Sequence, residues 1–358
     1  MNYNDIRRNT RKVRVGNIFI GGDSPITIQS MTNTDTHDIE ATYRQVASLE
    51  RAGCDIVRIT VPDEESASIF RILKERGITV PLVADIHFSH KIAISAIKNG
   101  ADKIRINPGN IGSEEGVAEV VATAKEYGVP IRIGVNAGSL DPQLLKKYGR
   151  PTPSALVESA LSHVRILEKH SFFDIVISIK ASTVADMLEA NKLLSAEVDY
   201  PLHLGVTEAG FGIDAAVKSS LGIGSLLSVG IGDTVRVSLT DAPEEEVRLA
   251  AKMLSALSLR APGGLNIISC PTCGRTKIDL IALTREFAEA AKAAGIMDKP
   301  ISVALMGCAV NGPGEAREAD IGIAGGVGEG LLFKGGQIIR KIPEASLVSE
   351  LISEIQKM

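Results

Sequence analysis

Eight times between residue 26 and about residue 258, a short β-branched run gives way to a longer stretch with helical periodicity. The strand-like runs are "ITIQSM" (26–31), "DIVRIT" (55–60), "PLVADIH" (81–87), "DKIRIN" (102–107), "PIRIGVN" (130–136), "DIVISIK" (174–180), "PLHLGVTE" (201–208) and "DTVRVSLT" (233–240). Between them lie patterns such as "DIEATYRQVASLERAG", "DEESASIFRILKERG" and "PEEEVRLAAKMLSAL". Several open on acidic residues or Ser and several close on Gly, as helix starts and stops prefer. Eight βα units in roughly 230 residues fit a (β/α)8 TIM-type barrel, which typically takes about 250. A doubly wound open sheet is the competing topology, but no G-x-G-x-x-G turn opens an early unit. The preceding "VRVGNIFIGGDS" reads as a small hairpin capping the bottom of the barrel.

The alternation stops near "SLRAPGGLN" (258–266), where Pro-Gly-Gly marks a linker. Two domains are therefore expected, a barrel over 1–258 and a small α+β domain over 265–358. The second has its own signals in "NIISC", "KIDLIALTREFAEAAKAAG", "ISVALMGCA", "ADIGIAGG", "GLLFKGG" and "EASLVSELISEIQKM". Composition narrows the function classes. A net charge of −4, no Trp and few other aromatics offer neither a phosphate-backbone surface nor a base-stacking platform. The basic N-terminus lacks the apolar stretch of a signal peptide, and no apolar run approaches the roughly 18 residues of a membrane span. A cytoplasmic protein is expected.

Strand alternation places polar residues on one face of almost every barrel strand. Arg58 and Thr60 share a face, as do Asp85 and His87, Arg105 and Asn107, Arg132 and Asn136, and Ser178 and Lys180. His203 aligns with Thr207, and Arg236 with Ser238 and Thr240. The residues between are mostly Ile, Val or Leu, suited to packing against outer helices. The polar face then points inward, toward the C-terminal ends of the strands, where barrels of this type carry their chemistry. Five cations there, Arg58, Arg105, Arg132, Lys180 and Arg236, are costly to bury without anions. A phosphate-bearing ligand resolves that cost, because guanidinium forks match phosphate oxygens. A structural network with Asp85, Glu208 and other carboxylates is the alternative. Glu208, beside Thr207, is a carboxylate placed to move protons.

Three of the four cysteines lie in the C-terminal domain. Cys270-x-x-Cys273 precedes a helical pattern, and Cys308 follows the strand "ISVALMG" within "GCAVNGPGE". A structural zinc would recruit a fourth Cys or a His, but this domain contains no His. A redox dithiol leaves the Gly-Pro-rich loop around Cys308 unexplained. A [4Fe–4S] cluster held by Cys270, Cys273 and Cys308 fits better, with Glu315 as an oxygen ligand that a substrate can displace. Cys54, at the start of a barrel strand, reads as a small buried hydrophobe.

Together these motifs, behind a barrel that begins "PITIQSMTNTDT", resemble the 4-hydroxy-3-methylbut-2-enyl diphosphate synthase family of the non-mevalonate isoprenoid pathway, in its short bacterial form. The resemblance spans nearly the whole chain. It implies reductive opening and dehydration of 2-C-methyl-D-erythritol 2,4-cyclodiphosphate, with electrons passing singly from flavodoxin or ferredoxin through the cluster. It also implies that Arg58, Arg105, Asn107, Arg132, Asn136, Lys180, Thr207, Arg236 and Ser238 grip the substrate, with His87 joining them. Glu208 becomes the acid–base candidate and Asn311 a substrate contact, and the family's homodimer has one chain's cluster domain capping its partner's barrel. Two other readings stand against this one. A zinc-stapled barrel lyase would form a Schiff base at Lys180, and an iron–sulfur sensor would bind a metabolite without turnover.

Overall fold

The computed structural model describes residues 6–181, 183–261, 263–308 and 317–358. The chain divides into two compact units, Met1–Arg260 and Ala261–Met358. The first opens with an antiparallel hairpin, β1 (Val13–Val15) and β2 (Ile18–Ile20). Eight strands follow: β3 (Thr27–Met31), β4 (Ile56–Thr60), β5 (Leu82–Asp85), β6 (Lys103–Ile106), β7 (Ile131–Asn136), β8 (Ile175–Lys180), β9 (His203–Leu204) and β10 (Thr234–Val235). They pair in parallel in the order β8-β7-β6-β5-β4-β3-β10-β9. A parallel bridge from Ile177 to Leu202 joins the two ends and closes the ring. This is the expected barrel, not a doubly wound sheet.

Local chemistry sets the crossovers. The helix α1 (Ile39–Arg51) begins where Asp38 accepts from the Ala41 N–H. Ser89, Ser113, Thr152 and Thr183 cap α3 (His90–Lys98), α4 (Glu114–Tyr127), α6 (Pro153–Lys169) and α7 (Val184–Glu197) in the same way. The set is completed by α2 (Ile69–Glu75), α5 (Pro142–Tyr148), α8 (Gly212–Leu227) and α9 (Pro243–Ala256). Outward strand residues such as Val57, Ile59, Ile104, Ile133, Ile177 and Ile179 pack with the helices in one large apolar core. A separate small core fills the barrel floor, where Val13, Val15 and Ile20 of the hairpin meet Ile56, Val83 and Val176 from the strands' N-terminal ends. The hairpin is thus the expected bottom plug.

Two strands are shorter than their sequence runs imply. Beyond Val235 the Arg236 N–H still reaches Leu204 O at 2.9 Å. The Leu239 N–H is instead taken by the Glu246 carboxylate at 3.2 Å, and the Thr240 N–H by Gly210 O at 3.0 Å. Non-ladder partners therefore draw the backbone off the sheet at the barrel mouth.

The second unit is a five-stranded sheet in the order β11 (Asn266–Ser269), β12 (Ser302–Met306), β13 (Ile321–Gly325), β14 (Glu329–Lys334) and β15 (Gln337–Pro343). The first three strands run parallel, and the last two form an antiparallel hairpin on β13. Helices α10 (Leu280–Ala293) and α11 (Leu347–Gln356) bury Leu283, Phe287, Leu347 and Leu351 against Val303, Leu305, Ile321 and Ile323. No helix among the described residues is long and apolar enough to cross a membrane.

Candidate active site in the barrel mouth and at the cysteine-bearing strand ends

Register decides which side chains share the barrel interior. Asp85 lies beside Arg105, Arg105 beside Arg132, and Asn136 beside Lys180, so these neighbours project to the same side. Asp85, Arg105, Asn107, Arg132, Ser178 and Lys180 are all buried, Arg132 to 1% exposure. Asp85 is the hub. Arg58 Nη2 donates to its Oδ2 at 3.3 Å and Arg105 Nη1 to its Oδ1 at 3.5 Å. Burial pushes the Asp85 carboxyl up, but Arg58 and Arg105 outweigh it and hold the group below its ordinary value. Arg105 Nη2 also donates to Gly134 O at 2.8 Å, while the Gly134 N–H donates to Asn107 Oδ1 at 3.0 Å.

Glycines make room for two of the cations. A Cβ at Gly134 would lie 2.3 Å from Arg105 Nε, and one at Gly205 would lie 3.1 Å from Lys180 Nζ and 2.7 Å from Arg236 O. Arg236 is held by Glu246 of α9 through two bonds, Nε at 3.2 Å and Nη2 at 3.0 Å. Glu246 also accepts from Ser30 Oγ at 2.9 Å. Asp85 and Glu246 are thus carboxylates that tie down cations of the mouth, and Glu208 is exposed at its edge.

The remaining positive charge is uncompensated. Arg132 Nε and Nη2, and Arg58 Nε, are buried with no hydrogen-bond partner among the described residues. Burial, reinforced by neighbouring guanidinium groups, lowers the pKa values of Arg132 and Lys180 far below their ordinary range, and that of Arg58 to about 10. A structural ion-pair network would satisfy these groups; this arrangement leaves them waiting for an anion.

The predicted polar residues nearer solvent form a rim. His87 is half exposed, with Nε2 4.0 Å from Asp85 Oδ2, and Asn136, Thr207 and Ser238 are partly buried. Glu208 has a backbone φ of 54°, a left-handed conformation rare for a residue with a Cβ and concentrated at functional sites. Sequence reasoning missed Glu246, Lys103 and Gln29. Lys103 stands on the same alternating face as Arg105, so the signal was present, whereas Glu246 sits on a helix that only the fold brings to Arg236.

In the second unit, Cys270 follows β11 and Cys308 follows β12, adjacent parallel strands, so both leave the same end of the sheet. The Gly307 N–H donates to Cys270 Sγ at 3.4 Å. Backbone and side-chain hydrogen bonds from Arg275 lower the pKa of the exposed Cys273 thiol. Among the described residues no three ligating side chains converge on one point. Asn311 and Glu315 lie outside the described residues. The donor chemistry of this strand end, thiolate sulfurs with an amide donor, suits a soft metal centre.

Two family models match, the GcpE TIM-barrel domain over residues 10–251 and the GcpE protein C-terminal domain over 266–357. The chain belongs to the GcpE family. Among curated GcpE relatives, one from Caldanaerobacter subterraneus subsp. tengcongensis is 57% identical over 99% of this chain and 98% of its own. One from Clostridium perfringens is 56% identical over 98% of this chain and 99% of its own. Both are named 4-hydroxy-3-methylbut-2-en-1-yl diphosphate synthase (flavodoxin). Among solved structures, dihydropteroate synthase from Stenotrophomonas maltophilia matches with a TM-score of 0.50 at 15% identity. It covers 70% of this chain and 98% of its own, and the likeness concerns the fold alone.

Proposed function

We propose that this GcpE protein reductively opens 2-C-methyl-D-erythritol 2,4-cyclodiphosphate and expels water, forming 4-hydroxy-3-methylbut-2-enyl diphosphate. The observation that carries the reading is the set of buried guanidinium nitrogens of Arg58 and Arg132 without partners, beside the buried Lys180 and the Asp85–Arg105 hub, a surplus of donors that a cyclic diphosphate neutralises. Cys270, Cys273 and Cys308, with Glu315 as a displaceable fourth ligand, would hold a [4Fe–4S] cluster. Such a cluster supplies single electrons and a Lewis-acidic iron. Reduced flavodoxin is the proposed donor, as the relatives' names indicate, with ferredoxin as the alternative.

The chain's own residues do the rest. Arg105, Asn107, Arg132, Lys180 and Arg236 would fix the diphosphate, with Arg58 and Ser238 completing the grip. Asn136, Thr207 and His87 would orient the carbon skeleton from the rim, and Asn311 would touch substrate. Glu208 would hold or move the proton of the departing hydroxyl. The protein is proposed to act in the cytoplasm as a homodimer. Ile213, Val217 and Leu221 are exposed at every fourth position of α8, an apolar stripe of the kind a second copy covers.

Anaerobically purified protein should contain about four iron and four sulfide per chain. It should consume the cyclic diphosphate only with a one-electron donor. Zinc without sulfide, or turnover without reductant, overturns this reading.

A further inference from the structure

Below the cationic mouth the barrel holds a second polar layer. Lys103 stands two residues before Arg105, Thr234 two before Arg236 and His203 four before Thr207, so at about 3.3 Å per residue they lie roughly 7 Å or more deeper. Thr234 pairs with both Thr27 and His203, which puts all three at one level facing the same side. Lys103 and His203 are 0% exposed, Gln29 1% and Thr27 6%. Among the described residues, Lys103 Nζ, both amide atoms of Gln29, Thr27 Oγ1 and His203 Nε2 all lack a hydrogen-bond partner. Three strands, β3, β6 and β9, thus carry buried, unsatisfied polar atoms on their inward faces, next to the apolar floor of Ile56, Val83 and Val176.

The charge in this region is one-sided. Arg58, Lys103, Arg105, Arg132, Lys180 and Arg236 line the interior, and Asp85 and Glu246 pair with Arg58, Arg105 and Arg236. Lys103 feels Arg132 and Arg58 as its charged neighbours, and His203 feels Arg132, Lys180, Lys103 and Arg58. No carboxylate stands among them. When His203 Nδ1 accepts from Thr234 Oγ1, 3.4 Å away, Nε2 carries the proton and becomes a donor. The layer is then dominated by donors around Lys103, whose burial beside Arg132 and Arg58 disfavours the ammonium unless an anion accompanies it.

We propose that this lower layer binds a small inorganic monoanion of halide size, with Lys103 Nζ as its charged ligand and His203 Nε2, the Gln29 amide and Thr27 Oγ1 completing the shell. The site is separate from the diphosphate-gripping residues above it, and the inference holds whatever anionic ligand the mouth takes. Bound there, the ion offsets positive charge that neither Asp85 nor Glu246 reaches.

The test uses the intact, cluster-loaded protein. Its melting temperature is followed as chloride replaces gluconate at constant ionic strength, and crystals grown with bromide are measured for anomalous scattering. Above saturation of the site, Tm should rise by about 1–3 °C per tenfold increase in halide. Lys103→Met should abolish that dependence, and an anomalous peak should lie in hydrogen-bond reach of Lys103 Nζ. An unchanged halide response in Lys103→Met overturns the proposal, as does bromide-free density showing only water beside a neutral amine. A peak seen only at high bromide, with no halide effect on Tm, is an adventitious ion only and also overturns it. Should the variant fail to fold, the wild-type crystals and titration still decide.

Discussion

Single residues in the barrel mouth are held by close contacts whose removal has a calculable sign. Gly134 is the sharpest case, since any Cβ there runs into Arg105 Nε. Gly134→Ala should cost about 1–3 kcal/mol in urea unfolding, the usual penalty for overpacking, and should raise KM by displacing Arg105 from Asp85. Unchanged stability and KM in this variant would remove Arg105 from the substrate grip. Lys180 gives a pH signature. Burial lowers its pKa in the folded chain below the unfolded value of about 10.4, so across that window the unfolded chain binds more protons. Stability of the ligand-free protein should therefore rise with pH toward that value. Lys180→Met should reduce that slope, to which the buried Lys103 and His203 also contribute, and lower kcat/KM by about 100-fold or more, through loss of a charge-assisted contact. A pH slope identical to wild type would mean that Lys180 is not among the titrating groups.

At the scale of elements, α9 does more than cover the barrel. Its Glu246 fastens Arg236, Ser30 and the Leu239 N–H at once, joining a helix, two strands and the loop that ends the β10 run. Glu246→Ala leaves Arg236 partly buried and unpaired, so a loss of about 3–5 kcal/mol is expected, together with weaker substrate binding. Calorimetry and initial rates on the same preparation check both effects. The hairpin β1–β2 plays an opposite, purely structural part at the floor. Ile20→Ala should cost about 2–5 kcal/mol through the cavity left against Ile56 and Val176, with KM unchanged. A shift in KM would show that the floor communicates with the mouth.

The whole molecule is two units with separate cores, one carrying the cationic barrel mouth and one the three cysteines of the C-terminal sheet. Cys308→Ala should therefore lose iron and turnover yet still bind the cyclic diphosphate within about threefold of wild type, measured by titration calorimetry. Loss of diphosphate binding together with iron would show that the two tasks are not separable. Much of this plan is legible along the chain. Alternation in "VRIT", "IRIN" and "ISIK" placed Arg58, Arg105 and Lys180 on the inner face, because side chains of a strand must alternate whatever the fold. The strand β15 was not legible, since Gln337–Lys341 are all exposed and Ile338 and Ile339 sit side by side without period-2 patterning. The shortening of the 201–208 and 233–240 runs was equally hidden, because the competing partners Glu246 and Gly210 are distant or lie in a loop.

Order along the chain, then, determined the eight βα units, the inward face of each strand and the spacing of Cys270, Cys273 and Cys308, all of which follow from backbone periodicity and residue chemistry. Tertiary structure alone decided which charges meet. Asp85 serves two arginines, Glu246 takes Arg236, and Lys103 Nζ, Arg132 Nε and Nη2, and His203 Nε2 find no hydrogen-bond partner among the described residues. Pairing depends on where neighbouring strands and helices bring side chains within hydrogen-bond reach, and burial there turns an unpaired charge from a tolerated surface group into a demand for a ligand.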